Sequence, residues 1–188
     1  MSMTAKPYPP LPNFDGFTLV EVLVAILVLS IGLLGMAGLQ LAGLRNGHTA
    51  HMRSQATLLA EDLAERMRAN PLGVANGDYN KPSALKNENC QNTNGCSANE
   101  MARNDIYDWN AALIASQPNG GLPDGKGTVC IDATPSDGTP NDPACDGLGS
   151  LYAIKVWWRE TETWGQDTDE PSQTTNTSYQ LFVTSFQP

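Results

Sequence analysis

Histidine and positive charge are scarce in this chain. Its 188 residues include 2 histidines and 11 lysines and arginines, against 20 aspartates and glutamates. Residues 1–70 carry equal numbers of acidic and basic side chains, so the whole net charge of −9 lies beyond them. An acidic surface repels phosphate backbones, so we do not expect nucleic acid as a partner.

The chain also lacks the patterns of common catalytic and ligand sites. The two histidines, His48 and His51, have no cysteine or carboxylate close in sequence that would complete a metal site. The sequence contains no glycine-rich phosphate loop and no C-x-x-C motif, and no pair of carboxylates stands out as catalytic. We therefore expect a non-enzymatic protein without a cofactor, a metal or a small-molecule substrate.

Charge is absent between Glu21 and Arg45, which makes residues 22–44 a long apolar segment. At ~1.5 Å per residue, a helix of this length spans the roughly 30 Å hydrocarbon core of a bilayer. The segment exceeds the ~7–15 apolar residues of a secretory signal peptide, so we predict one membrane span. Glu21 stands just before this segment, where an ionised carboxylate is costly.

The four cysteines, Cys90, Cys96, Cys130 and Cys145, all follow the apolar segment. Their even number in a polar, loop-rich region predicts two disulfides and an oxidising compartment, with a zinc site as the alternative. Of the three pairings that four cysteines permit, we favour Cys90–Cys96 and Cys130–Cys145, because these close local loops. Under the positive-inside rule, the basic residues after the span would place the C-terminal segment in the cytoplasm. Because this charge bias is small, we follow the cysteines, which place that segment in an oxidising compartment.

Proline divides the chain into a leader, a long helix and a head. Four prolines in residues 1–15 predict an irregular leader, and the next proline is Pro71. One helix is predicted from Phe17 to about Asn70, apolar all round in its first half. In the second half, one apolar stripe predicts packing against a soluble domain; it comprises Met52, Ala56, Leu59, Leu63 and Met67.

Beyond Asn70 the composition predicts a loop over residues 71–96 and then a second helix. Ser97 and Glu100 form a capping-box pattern. The helix is expected to continue to about Ser116 and to end before Pro118–Gly121. Its predicted buried face comprises Ala102, Ile106, Trp109 and Leu113.

The last third predicts strands over Thr128–Asp132, Leu151–Arg159 and Tyr179–Phe186. The second strand alternates and is expected to be half-buried, and a polar loop at 161–178 joins it to the third. Together with the helices these strands predict an α+β fold, with the aromatic residues packing the sheet on the long helix.

Two acidic loops, Asp132–Asp146 and Asp167–Glu170, offer oxygen ligands for Ca²⁺, but neither has the EF-hand spacing. Aspartate and proline in loops more often serve turn formation. We therefore interpret both segments as turns.

The stretch GFTLVE, which begins at Gly16, resembles the class III signal of type IV pilins and type II secretion pseudopilins. A short polar leader precedes the stretch and the apolar segment follows it, as in those families. Over residues 16–70, and more loosely over 97–130, the chain is most similar to the minor pilins called type IV pilus modification protein PilV.

This resemblance implies a pilin fold, in which a long N-terminal helix packs on a small antiparallel sheet with one extra helix. It also implies four segments. These are a cleaved leader (1–16), a transmembrane and assembly half of the helix (17–44), an amphipathic half (45–70) and a disulfide-containing globular head (71–188).

The function implied by the resemblance is that of a minor pilin in type IV pilus assembly, adhesion and twitching motility. Prepilin peptidase would cleave between Gly16 and Phe17, Phe17 would be N-methylated, and Glu21 would set the register between subunits. The chain would lie in the inner membrane with its head in the periplasm, and then in an extracellular pilus. The implied partners are other major and minor pilins, prepilin peptidase and a tip-associated adhesin.

Two alternatives stay open. A type II secretion pseudopilin shares the signal and the long helix. A single-pass anchored periplasmic domain that binds a ligand would need neither the leader nor Glu21.

Overall fold

The computed structural model describes residues 16–115, 120–161 and 177–187. The leader before Gly16, the helix stop at Pro118 and most of the polar loop at 161–178, including Asp167–Glu170, lie outside the described residues. The chain divides into two compact units, residues 1–46 and 47–188.

The longest element is helix α1, Leu19–Ala69, close to the predicted bounds. In the first unit, every described residue of α1 is exposed. In the second unit the helix buries one face, formed by Met52, Ala56, Ala60, Leu63, Ala64 and Met67. The predicted apolar stripe is confirmed, although Leu59 is only partly buried and two alanines widen the stripe.

Helical structure resumes directly after Asn70, so the prediction of a loop throughout residues 71–96 is wrong. Helix α2, Pro71–Ala75, follows at once, with Asn70 as its N-cap. The Asn70 Oδ1 accepts a hydrogen bond from the Gly73 N–H at 3.2 Å, and Pro71 needs no hydrogen bond at the first helical position. The Asn-Pro pair thus ends α1 and begins α2. A short 3₁₀ helix, Glu88–Gln91, also lies in this region.

Helix α3, Ala98–Leu113, confirms the predicted second helix and ends three residues before the predicted bound. The Ser97 Oγ accepts from the Glu100 N–H at 3.3 Å, and the Glu100 Oε2 accepts from the Ser97 N–H at 2.8 Å, which completes the capping box. All four residues of the predicted face are buried. The Trp109 Nε1 donates to the Leu59 carbonyl of α1 at 2.7 Å, which ties the two helices together.

In the described part of the chain, three antiparallel strands form one sheet in the order β1-β2-β3. They are β1, Lys126–Ile131, β2, Tyr152–Thr161, and β3, Thr177–Phe186, each within two residues of its predicted bounds. In the register, Val129 lies opposite Ile154 and Val156 opposite Phe182. A Cβ at Gly127 would lie 2.3 Å from the Trp109 ring, so β1 packs against α3 only because this residue is glycine.

The predicted half-burial of β2 is wrong, because all residues from Tyr152 to Trp158 are buried. Tyr152, Ile154, Val156 and Trp158 belong to the core that the sheet shares with α1 and α3. On the opposite face, Lys155 contacts the loop that follows β1. Lysine normally marks the solvent-exposed face of an alternating strand. The sequence pattern therefore gave no indication that this face of β2 is also buried.

Candidate functional site at the start of the long helix

The described chain begins with three residues that lead into α1. Gly16, Phe17 and Thr18 precede the helix, and Phe17 is 84% exposed. The backbone N–H of Glu21 lies 3.3 Å from the Thr18 Oγ1 and 3.1 Å from the Thr18 carbonyl oxygen. Thr18 therefore caps the helix, and sequence reasoning missed it, although Thr-x-x-Glu is the capping-box pattern.

Glu21 lies in the first turn of α1. The free N–H groups and the macrodipole at this end of a helix favour a negative charge, typically by ~0.3–1 kcal/mol. Glu21 is exposed, and its apolar neighbours Val20 and Val24 are 67% and 56% exposed. Among the described residues, the Glu21 carboxylate has no ion pair within its own chain. The charge therefore lies in an apolar surface and is available to a partner.

Residues 17–44 present apolar side chains on all sides of α1. Within the described residues, α1 is the helix that is long and apolar enough to cross a membrane. The hydroxyl of Ser30, one of its few polar groups, donates to the Ile26 carbonyl at 2.7 Å. Because this hydrogen bond is internal to the helix, Ser30 needs no water and is compatible with lipid.

The glycines of α1 have no packing role among the residues that the structure describes. At Gly32, Gly35, Gly38 and Gly43, an added Cβ would meet no atom within 4 Å. Glycine costs ~1 kcal/mol relative to alanine in a helix interior, and no described element of this chain uses the space. Small residues in apolar helices permit close approach of a second helix, so these positions suit contacts with other chains.

The sequence places Gly16, Phe17 and Glu21 within one turn of the helix start, whereas the four cysteines lie in the second unit. Cys90 is joined to Cys96 with a Cα–Cα distance of 4.9 Å, and Cys130 to Cys145 with a Cα–Cα distance of 6.1 Å. These are the local pairs that the sequence favours. The zinc alternative is wrong, because it requires free thiolates and all four sulfurs are in disulfides.

The two histidines lie apart from the cysteine and carboxylate cluster that the described residues form. His48 and His51 are both exposed on α1. Within the described residues, the cluster with metal-ligand spacing consists of Cys130, Asp132 and Cys145, and the disulfide removes two of its three ligands.

Two family models match the chain. Residues 11–37 match the model of the prokaryotic N-terminal methylation motif, and residues 38–107 match the model described as type IV pilin Tt1218. No curated protein matches the chain. No solved structure matches it either.

The motif match ends where the domain match begins, and the motif contains Gly16, Phe17 and Glu21. The domain match covers the rest of α1, α2 and most of α3. Residues 11–107 are therefore similar to an N-terminal methylation motif joined to a Tt1218-like type IV pilin domain, and the chain has the type IV pilin fold of a long N-terminal helix packed on a small antiparallel sheet.

Proposed function

We propose that this chain is a minor pilin, a non-enzymatic subunit that primes or decorates a type IV pilus. The observation that carries the proposal is the position of Glu21: an acidic residue in the first turn of an exposed apolar helix, inside a methylation motif. A simple membrane anchor needs no such charge. The PilV-like group of minor pilins is the most specific assignment that the sequence resemblance supports.

The proposed processing gives Glu21 a partner. Prepilin peptidase cleaves between Gly16 and Phe17, which leaves a positive amine on Phe17 that is then N-methylated. Gly16 serves this step because the peptidase needs a small residue before the cleaved bond. In the inner membrane, Glu21 lies near the headgroups and keeps access to water.

Assembly removes that water, because the apolar helices of several subunits bundle together. A charge in the bilayer centre costs ~2.5–3.5 kcal/mol on insertion scales, and a comparable cost applies when the carboxylate enters the bundle. The Phe17 amine of a neighbouring pilin offsets this cost when the two helices are in one axial register. Glu21 thus selects the register between subunits more than it adds net stability.

The proposed life cycle follows from this step. The chain enters the inner membrane with its head in the periplasm, where the two disulfides form. It then joins major and minor pilins in an extracellular fibre and supports adhesion and twitching motility, with a tip-associated adhesin as a further partner. Pilins as a family are structural proteins, and we assign no catalytic residue.

The test is the replacement of Glu21 by glutamine or alanine in cells that make pili. We expect normal cleavage and membrane insertion, but less of the variant in sheared pili. Glu61→Gln is the matched control, because Glu61 is an exposed acid of the same helix in the second unit, and this variant should be incorporated normally. Normal incorporation of Glu21→Gln would refute the role in register.

The sheared-pilus fraction also distinguishes the proposed minor pilin from a type II secretion pseudopilin. A minor pilin is found in sheared pili, whereas a type II secretion pseudopilin stays with the secretion apparatus. An anchored ligand-binding domain would keep its leader and would be found in neither.

A further inference from the structure

The outer edge of β1 is paired over only part of its length. In its C-terminal half, the Lys81 N–H donates to the Val129 carbonyl at 3.0 Å, and the Ile131 N–H donates to the Asn80 Oδ1 at 3.0 Å. The backbone groups of alternate residues in a strand point to the same edge, so the N–H and C=O of Gly127 also point outwards. Among the described residues, neither group has a partner at this edge.

The cover of this edge ends at Pro82. Proline has no N–H and cannot continue a pairing along β1. The residues that follow lie against α3 instead, where the Ser83 carbonyl accepts from the Arg103 Nε at 3.3 Å and the Leu85 N–H donates to the Arg103 carbonyl at 3.1 Å. The chain therefore leaves the edge of β1 before Gly127 and keeps that residue open.

A groove of about 510 Å³ adjoins the open edge, and Gly127 is one of the residues that line it. Its lining on α3 includes Tyr107, Ala111 and Ile114. These three side chains are exposed, and their spacings of four and three place them on one side of the helix, which we call the outer face of α3. The open backbone of β1 and an unpartnered helix face thus share one groove.

The geometry of β1 determines where the side chains of an added strand point. A Cβ at Gly127 would lie 2.3 Å from the Trp109 ring, so this position faces α3. Facing residues of antiparallel strands project to the same side of a sheet, so a residue paired with Gly127 projects towards α3 as well. Its neighbour, opposite Lys126, projects to the other side. An apolar residue suits the first position, because the outer face of α3 lies on that side.

Lys126 is the charged residue among those that line the groove. Its Nζ donates to the neutral Asn141 Oδ1 at 3.2 Å and lies 5.7 Å from the centroid of the Tyr179 ring. The nearby Asp124 carboxylate accepts from the Arg159 Nη2 at 2.6 Å. Within the part of the chain that the structure describes, Lys126 therefore donates to a neutral amide and not to a carboxylate. A carboxylate on a partner would complement this charge.

We propose that the groove binds an extended segment of another chain, which adds a strand to the edge of β1. The segment runs antiparallel to β1, because a single open residue exchanges both of its hydrogen bonds with one partner residue only in that arrangement. The segment places an apolar side chain opposite Gly127 and a carboxylate opposite Lys126. Main-chain hydrogen bonds supply attraction, and the two side chains supply selectivity. This inference concerns the head alone and does not depend on the role of Glu21.

The experiment titrates the isotope-labelled full-length chain in detergent with the capped peptide acetyl-Thr-Val-Glu-Val-Thr-amide. We expect the amide resonance of Gly127 to shift saturably in NMR spectra. The same peptide with lysine in place of its glutamate should bind about 5-fold more weakly, because it loses an exposed ion pair. A version with N-methylated valines should bind at least about 10-fold more weakly, because it cannot donate to the open edge.

Ala111→Gln places a longer polar side chain in the groove and should weaken binding of the glutamate peptide. Ala75→Gln is the matched control, because Ala75 is an exposed alanine of α2 that does not line this groove, and this variant should bind like the native chain. Lys126→Gln should bind the glutamate and lysine peptides equally.

The proposal is overturned if the Gly127 resonance does not respond, if the N-methylated peptide binds as well as the parent, or if Ala111→Gln binds like the native chain. Equal binding of the glutamate and lysine peptides by the native chain would also overturn it. If sedimentation shows that the native chain self-associates and that Ala111→Gln abolishes this, a second copy occupies the groove and the proposal is wrong.

Discussion

Replacing Tyr79 by phenylalanine tests how the head is attached to the long helix. Tyr79 is fully buried, and its hydroxyl donates to the Asp105 Oδ2 of α3 at 2.5 Å. The same hydroxyl accepts from the Asn70 Nδ2 at 3.2 Å, next to the end of α1. Arg66 of α1 lies 3.7 Å from the other Asp105 oxygen. One hydroxyl thus connects the end of α1 with α3.

The expected loss can be worked from these contacts. Burial and Asp105 raise the pKa of Tyr79, so its hydroxyl stays a donor at neutral pH. A hydrogen bond to a charged group contributes ~1.5–3 kcal/mol, and Tyr79→Phe leaves a buried carboxylate with Arg66 as its remaining support. We expect the free energy of unfolding to fall by about 2 kcal/mol.

The pH dependence supplies a second readout. Burial raises the pKa of Asp105, and the Tyr79 and Arg66 contacts only partly offset this. Because the folded pKa lies above the unfolded one, the contribution of Asp105 is most favourable in acid and declines as pH rises through the raised pKa. Without the Tyr79 hydroxyl that pKa rises further. The cost of Tyr79→Phe should therefore be larger at about pH 7 than at about pH 4.

Urea unfolding of the full-length chain in detergent measures both effects, with an unchanged m-value as the sign that the folded state is intact. Tyr107→Phe is the matched control, since Tyr107 is a partly exposed residue of α3 and its replacement should change stability by less than ~0.5 kcal/mol. A loss below ~0.5 kcal/mol for Tyr79→Phe, or a loss that does not change with pH, would refute this reasoning.

Two further predictions concern the core and the disulfides. Leu63→Ala should cost ~2–5 kcal/mol in unfolding free energy, because Leu63 is fully buried. Leu58→Ala on the same helix should cost far less, because Leu58 is 59% exposed; similar losses in denaturant titrations would contradict the packing of α1. Replacing Cys130 and Cys145 together by serine removes a bond across a separation of 15 residues and should cost ~3 kcal/mol. A melting temperature equal to that of the native chain would contradict this.

Local patterns in the sequence predicted most of the fold. The stripe along α1, the capping box at Ser97 and the three strands each depend on residues within one helix or one strand, and all are confirmed. The Gly16-to-Glu21 motif is equally local, so the sequence predicts this candidate site on its own. Thr18 was missed, although its capping pattern was visible.

The errors have a different physical origin. The burial of Lys155 depends on loop oxygens that lie 12 to 23 positions earlier in the chain, and no periodicity signals such a contact. On that face of β2, Lys155 contacts the loop between β1 and β2. Helix α2 was missed because the Asn70-Pro71 pair fits both the end of one helix and the start of the next.

The proposed role of Glu21 depends on the chemical state of the N-terminus, which intact mass spectrometry of the chain from the membrane fraction measures directly. We predict a mass that lacks residues 1–16 and includes one additional methyl group on Phe17. A chain that keeps its leader would leave Glu21 without the partner proposed for it and would contradict the assignment as a minor pilin.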